Sequence, residues 1–156
     1  MIKKYLCFIL LFTFFPDLTT THTYNYPSGE YIAQGFTDGD DYKWYVCRLK
    51  DDFSVEWAYC AENEENNLYI ADISKDGRIL ITTTITESDH YGSVILKELD
   101  QNGNVINNTK YYRSTNVRAA YFNDKIVVIA ENLRVLNSDF TVSGEFDELR
   151  LHYAFK

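Results

Sequence analysis

Three times in this chain a leucine is answered six residues later by a valine across a polar tip: "LKDDFSV" from Leu49 to Val55, "LDQNGNV" from Leu99 to Val105 and "LNSDFTV" from Leu136 to Val142. Two apolar residues flanking a short Asp/Asn/Gly-type segment describe a β-hairpin, with the pair opposed across two antiparallel strands and the polar residues at the turn. Hairpin turns are therefore predicted at 50–54, 100–104 and 137–141. The repetition extends outward, because Gly29 of "SGEYIAQGFT" returns 48 residues later as Gly77 of "KDGRILITTT", while Leu49 and Val55 return after 50 as Leu99 and Val105. A third unit, "NDKIVVIAENLRVLNSDFTV", is compressed to a loop of about "AEN". Units of about 28–66, 67–115 and 116–147 follow, a period typical of repeats holding four short strands.

Composition agrees with strands. Of 156 residues 16% are aromatic, with 13 Tyr and 10 Phe against 2 Pro and 7 Gly, and such side chains suit a pleated, half-buried surface. Runs of strand-forming residues fall near 30–37, 42–50, 54–60, 67–73, 78–86, 92–99 and 104–112. Four more lie near 116–122, 125–131, 133–137 and 141–147, and "LRLHYAF" at the end is a further candidate. Turn residues ("DGDD", "KDG", "QNGN", "FND") separate them at short intervals, as in antiparallel meanders. The fold class is all-β, with antiparallel, propeller-like units.

"SGEYIAQGFT", "YKWYVCRLKDDFSVEWAY", "KDGRILITTT" and "SVILKELDQNGNVI" together resemble the propeller-like repeat of secreted and surface proteins, whose units run D-G-G-Y-I-x-x-G, a variable loop, then K-L-D-x-x-G-x-x-x-W. Trp57 matches the final aromatic in the first unit; Asn107 stands in that region of the second, and the third lacks the glycines. The resemblance implies a partial β-propeller, export and a binding role. Closed propellers have four to eight blades, and this chain supplies two and a half to three. Three outcomes follow: a truncated product, a ring completed by homo-oligomerisation, or a compact stack with "ELRLHYAFK" covering an edge.

The N-terminal "MIKKYLCFILLFTFFP" places Lys3 and Lys4 before an apolar run too short to span a bilayer, the pattern of a secretory signal peptide. Residues 1–21 are read as that signal and 22–156 as one β-repeat domain. An uncleaved anchor, which would make the protein membrane-attached, and a buried first strand are the other readings. The chain is predicted to be secreted or at the cell surface. Its net charge of −8, with no basic cluster, argues against nucleic acid as a partner.

Export raises the question of a disulfide between Cys47 and Cys60. With Leu49 opposite Val55 in unbroken register, Cys47 faces Trp57 and Cys60 faces Trp44, so the two fall on opposite faces as buried free thiols. A bulge would undo that parity. The same register groups Tyr45, Tyr59 and Trp57 on one face and Tyr42 and Trp44 on the other. These five aromatic residues are the candidate ligand or partner surface, for a glycan or a protein; packing between units is the alternative.

Catalytic signatures are absent from the sequence. There is no G-x-S-x-G, H-E-x-x-H or phosphate-binding glycine loop, and "SKDGRIL" only partly matches the structural Asp box of sialidases. His22, His90 and His152 are far apart, so no zinc site is assigned. "DGDD" and "DQNGN" carry calcium-type oxygens but not the EF-hand spacing, and read as turn tips. Glu62, Glu64 and Glu65 read as a solvated loop, and "NNT" at Asn107–Thr109 is a glycosylation sequon. The expectation is an exported, non-catalytic interaction module without cofactor or metal. The alternatives are a fragment or subunit of a propeller enzyme and a truncated remnant.

Overall fold

The computed structural model describes residues 18–37, 43–62, 65–86, 92–111, 117–130 and 132–146. Among them are twelve strands and no helix. β1 (Leu18–Asn25), β2 (Tyr31–Thr37), β3 (Trp44–Leu49) and β4 (Val55–Cys60) form the first sheet, each paired antiparallel with the next in sequence. β5 (Glu65–Ile73), β6 (Ile79–Thr86), β7 (Gly92–Leu99) and β8 (Val105–Tyr111) repeat that meander in the second sheet. β9 (Arg118–Phe122), β10 (Lys125–Ile129), β11 (Leu133–Leu136) and β12 (Val142–Phe146) repeat it in the third. β1 begins inside the stretch read as a signal peptide and pairs with β2 from Leu18↔Thr37 to Asn25↔Tyr31, so the first unit starts upstream of residue 28. The terminal "LRLHYAF" and the "DGDD" turn lie outside the described residues.

The three Leu–Val pairs occur as predicted: Leu49↔Val55, Leu99↔Val105 and Leu136↔Val142 are opposed. Each is followed by a register shift, a β-bulge, on the fourth strand of its sheet. The turns between them share one geometry. In Lys50–Ser54, Asp100–Asn104 and Asn137–Thr141 the first amide bonds the fifth carbonyl and the fourth amide bonds the first carbonyl. Tyr26–Glu30 and Ser74–Arg78 use the same two bonds. The fourth residue sits at positive φ in all five: Gly29, Phe53, Gly77, Gly103 and Phe140. This is a type I turn closed by a left-handed residue, the common three-residue hairpin loop.

Phenylalanine is an unusual occupant of that position, since a side chain there is strained by about 1 kcal/mol or more. In both cases the preceding aspartate compensates. Asp52 Oδ1 accepts from the Ser54 amide and hydroxyl, at 2.9 and 2.6 Å. Asp139 Oδ1 accepts the equivalent pair from Thr141, at 3.0 and 2.5 Å. The rings are also packed, Phe53 stacking on Tyr31 with centroids 6.1 Å apart and Phe140 lying against the core of the third sheet.

The sheets stack face to face in chain order. Ile32 and Val46 of the first sheet meet Leu68, Ile79, Ile81 and Leu99 of the second in one cluster. Leu80, Leu96 and Tyr111 on the other face of the second meet Ala119, Ile126, Val128 and Leu136 of the third. Covered on both sides, β6 and β7 are buried almost continuously, while the fourth strand β4 alternates. That explains the unbroken apolar runs of the middle sheet. The three sheets form an open stack, not a closed ring.

Candidate functional site

Two adjacent residues of β7, Lys97 and Glu98, point to opposite faces and tie the middle sheet to both neighbours. Lys97, 4% exposed, places Nζ 2.5 Å from Glu65 Oε1, donates to Tyr59 Oη at 2.7 Å and lies 3.3 Å from Glu62. Burial alone would lower its pKa, but the bonds to Glu65 and Tyr59 outweigh it and hold the ammonium above its usual value. Glu98, fully buried, accepts from Arg78 Nη1 and Tyr121 Oη, each at 2.9 Å, and from Asn107 Nδ2 at 2.7 Å. Burial and then the Glu98 charge push the Tyr121 phenol well up. Glu65 thus belongs to a buried ion pair, correcting its reading as part of a solvated loop. "SVILKEL" carried the signal: two charges inside an apolar run must find partners when both faces are covered.

The repeat also copies a bond between sheets. Trp57 Nε1 donates to the Gln101 carbonyl at 2.8 Å, and Asn107 Nδ2 donates to the Ser138 carbonyl at 2.9 Å. Trp57 and Asn107 both stand eight residues after the repeated leucine, and both acceptors are the second residue of the next sheet's turn. Tyr26 Oη adds a 2.5 Å bond to the Gly77 carbonyl. Arg48, over the Tyr26 ring at 4.4 Å, pairs with Glu30 at 2.9 Å. Its Nε lies 3.0 Å from Glu56 without hydrogen-bond alignment.

The aromatic candidates divide differently from the sequence expectation. The bulge between Arg48 and Leu49 pairs Arg48 with Trp57, Cys47 with Ala58 and Tyr45 with Cys60. Trp57 and Tyr59 therefore join Trp44 on the face toward the second sheet, half-buried in the inter-sheet cluster. Tyr45 is on the opposite face with Cys47, 1% exposed, its hydroxyl 3.0 Å from Thr20 Oγ1 and its pKa pushed up to about 12 by burial. Tyr42 lies outside the described residues. The four described candidates divide between two faces, Trp44, Trp57 and Tyr59 toward the second sheet and Tyr45 on the other. The same bulge puts both thiols on the Tyr45 side, correcting the opposite-face assignment, and Cys60 is exposed although a buried thiol was expected. Both are free.

A cleft of about 360 Å³ opens between the second and third sheets, lined by Tyr69, Ile70 and Ala71 of β5, Thr82 and Thr84 of β6, Val94 of β7, and Val117, Arg118 and Ala119 at the start of β9. Two register shifts in β5, between Asn66 and Tyr69 and between Ile70 and Asp72, shape this wall; bulges re-aim side chains in this way beside binding sites. Tyr69 is left 51% exposed, its ring centroid 6.2 Å from that of Trp44. Thr84 Oγ1 is held by the Asn66 carbonyl at 2.8 Å. No sequence motif marks the cleft, because its walls come from four separated segments.

Among the described residues no three His, Cys, Asp or Glu side chains come together to hold a metal. In the "DQNGN" turn, Asp100 Oδ1 accepts from the Asn102 and Asn104 amides, each at 2.8 Å, so the carboxylate serves its own turn. His22 is exposed, and His90 and His152 lie outside the described residues. Comparison with models of known protein families matched none, and comparison with curated proteins matched none.

Proposed function

We propose that this chain is an exported, non-catalytic binding module of propeller-like units, secreted or held at the cell surface, whose ligand site is the cleft between the second and third sheets. One observation carries the reading. The described residues lining the cleft include no carboxylate, imidazole or thiol, whereas Lys97 is paired with Glu65 and Arg78 with Glu98. A hydroxyl such as that of Tyr69, Thr82 or Thr84 becomes a catalytic nucleophile only beside a base, and the described lining residues supply none. The propeller-like reading is supported by the meander of each sheet and the inter-sheet bond repeated at Trp57 and Asn107.

The test is nitrogen-15 NMR shift mapping with a panel of monosaccharides and short peptides. Shifts centred on Tyr69, Val94 and Ala119, with the ligand unchanged over hours, support the reading. Turnover of a panel member, or shifts confined to surfaces away from the cleft, overturns it. A second reading, part of a larger propeller assembly completed by homo-oligomerisation, is favoured by the outward side of the third sheet, where Phe122, Ile129 and Phe146 are exposed at 67%, 40% and 56%.

A further inference from the structure

We infer that the cleft between the second and third sheets takes an uncharged, apolar, ring-sized ligand carrying one hydrogen-bonding group, an inference that deepens the binding reading above and rests on it. Which side chains face the cleft follows from register. Thr82 stands opposite Leu96, and Val94 stands opposite Thr84 and Tyr111. Leu80, Leu96 and Tyr111 belong to the cluster packed against the third sheet, so alternation turns Thr82, Thr84 and Val94 to that side. From the third sheet, Ala119 is part of the same cluster and Val117 packs against it. Arg118, next to the inward-facing Ala119, lies opposite the exposed Ile129 and belongs to the outward face. No charged side chain among the described lining residues therefore faces the cleft.

An ion entering such a site gives up hydration and gains no counter-charge in return, whereas an apolar ring gains by burial against Ala71, Val94, Val117 and Ala119. The polar point is Thr82. Of the other lining residues with a hydroxyl, Tyr69 is half exposed, and Thr84 Oγ1 donates to the Asn66 carbonyl at 2.8 Å and accepts from Asn67 Nδ2 at 3.3 Å. Thr82 is 7% exposed, and its hydroxyl makes no hydrogen bond with any described residue. A buried hydroxyl left unpaired is unfavourable, and a ligand atom that pairs with it recovers the loss. A volume of about 360 Å³ stands at the small end of ligand sites, suited to a single ring and not to a chain of residues.

The experiment titrates the full folded chain at neutral pH, by NMR shift mapping, with two pairs that differ by one hydroxyl: p-cresol against toluene, and N-acetyltyrosinamide against N-acetylphenylalaninamide. Benzoate and benzylamine are the charged controls. In at least one pair the hydroxyl compound binds at the cleft about fivefold tighter than its partner, the scale of one neutral hydrogen bond, and both charged rings bind at least tenfold more weakly than that compound. Which pair shows the preference distinguishes a free ring from the aromatic side chain of a partner. Thr82→Val abolishes the preference, and because the hydroxyl it replaces is unpaired, the variant keeps its midpoint in urea. Equal binding within both pairs, a preference unchanged in Thr82→Val, a charged ring that binds as tightly as the hydroxyl compound, or a Thr82→Val variant that unfolds at lower urea overturns the inference and leaves the binding cleft standing. Absence of cleft shifts from all of these compounds and from the panel of monosaccharides and peptides overturns both.

Discussion

Gly29, Gly77 and Gly103 occupy the same left-handed position of the same turn, yet substitution should not affect them equally. At Gly29 an added methyl meets nothing within 4 Å, whereas at Gly77 it falls 2.2 Å from Tyr26 Oη and at Gly103 2.6 Å from Trp57 Cε3. Gly29→Ala should therefore lose only the backbone term, about 1 kcal/mol. Gly77→Ala and Gly103→Ala should lose about 3 kcal/mol, because each also displaces an aromatic side chain and its bond to the neighbouring sheet. Urea unfolding of the three variants checks this, and equal losses would show that the turns do not dock sheets. Asn107 supplies a second prediction at this scale. Its amide donates both to Glu98 Oε2 and to the Ser138 carbonyl, so a glycan on Nδ2 would break the contact between the second and third sheets. Expressed in a glycosylating host, the folded protein should carry no sugar at Asn107 by peptide mass mapping, despite the sequon.

At the scale of elements, β7 is the strand on which the stack turns. Lys97 and Glu65 are 6% and 3% exposed at the side chain, and removing one partner leaves a buried charge uncompensated. Lys97→Met and Glu65→Leu should each destabilise by about 3 kcal/mol. The double variant should lose at least 1 kcal/mol less than the sum, since an apolar pair of similar volume replaces both charges. A double-mutant cycle in urea measures the difference, and strict additivity would mean the pair does not interact. The exposed Glu62, 78% accessible at 3.3 Å, should contribute at most a few tenths of a kcal/mol.

For the whole molecule, the packing between sheets sets the pH range of stability. Burial raises Tyr45 to about 12 and also raises Tyr59 and Tyr121, while Lys97 is held up by its partners against burial. In each case the folded state favours the protonated form, so the stabilisation is complete below the unfolded value near 10 and is lost as pH rises through the raised values. Unfolding should therefore set in above about pH 10, with phenolate absorbance appearing together with loss of circular dichroism. Tyrosines that all ionise before the dichroism changes would contradict their burial. On the acid side, Asp52 and Asp139 are lowered by Ser54 and Thr141. Their contribution is present above the usual carboxylate range and lost as pH falls below about 4.

The strands and turns were legible in the sequence because what fixes them is local. A glycine or an Asp-Phe-Ser segment closes a hairpin through bonds between residues at most four apart, and the Leu–Val pairs follow from the length of that loop. The first strand was hidden, since "LTTTHTYN" directly follows an apolar leader-like run. The faces were not legible. One bulged residue on β4 reverses its parity and sends Trp57 and Tyr59 to the side of Trp44, away from Tyr45; spacing alone carries no trace of that bulge, and it is what lets Trp57 reach Gly103 and Gln101. The partners of Lys97 and Glu98 and the walls of the cleft lie up to 38 residues away along the chain or more. Sequence by itself determined the local alternation and its punctuation; only the stacking of three sheets decided which side chains meet, because burial on both faces is a property of the assembled layers and of no single strand.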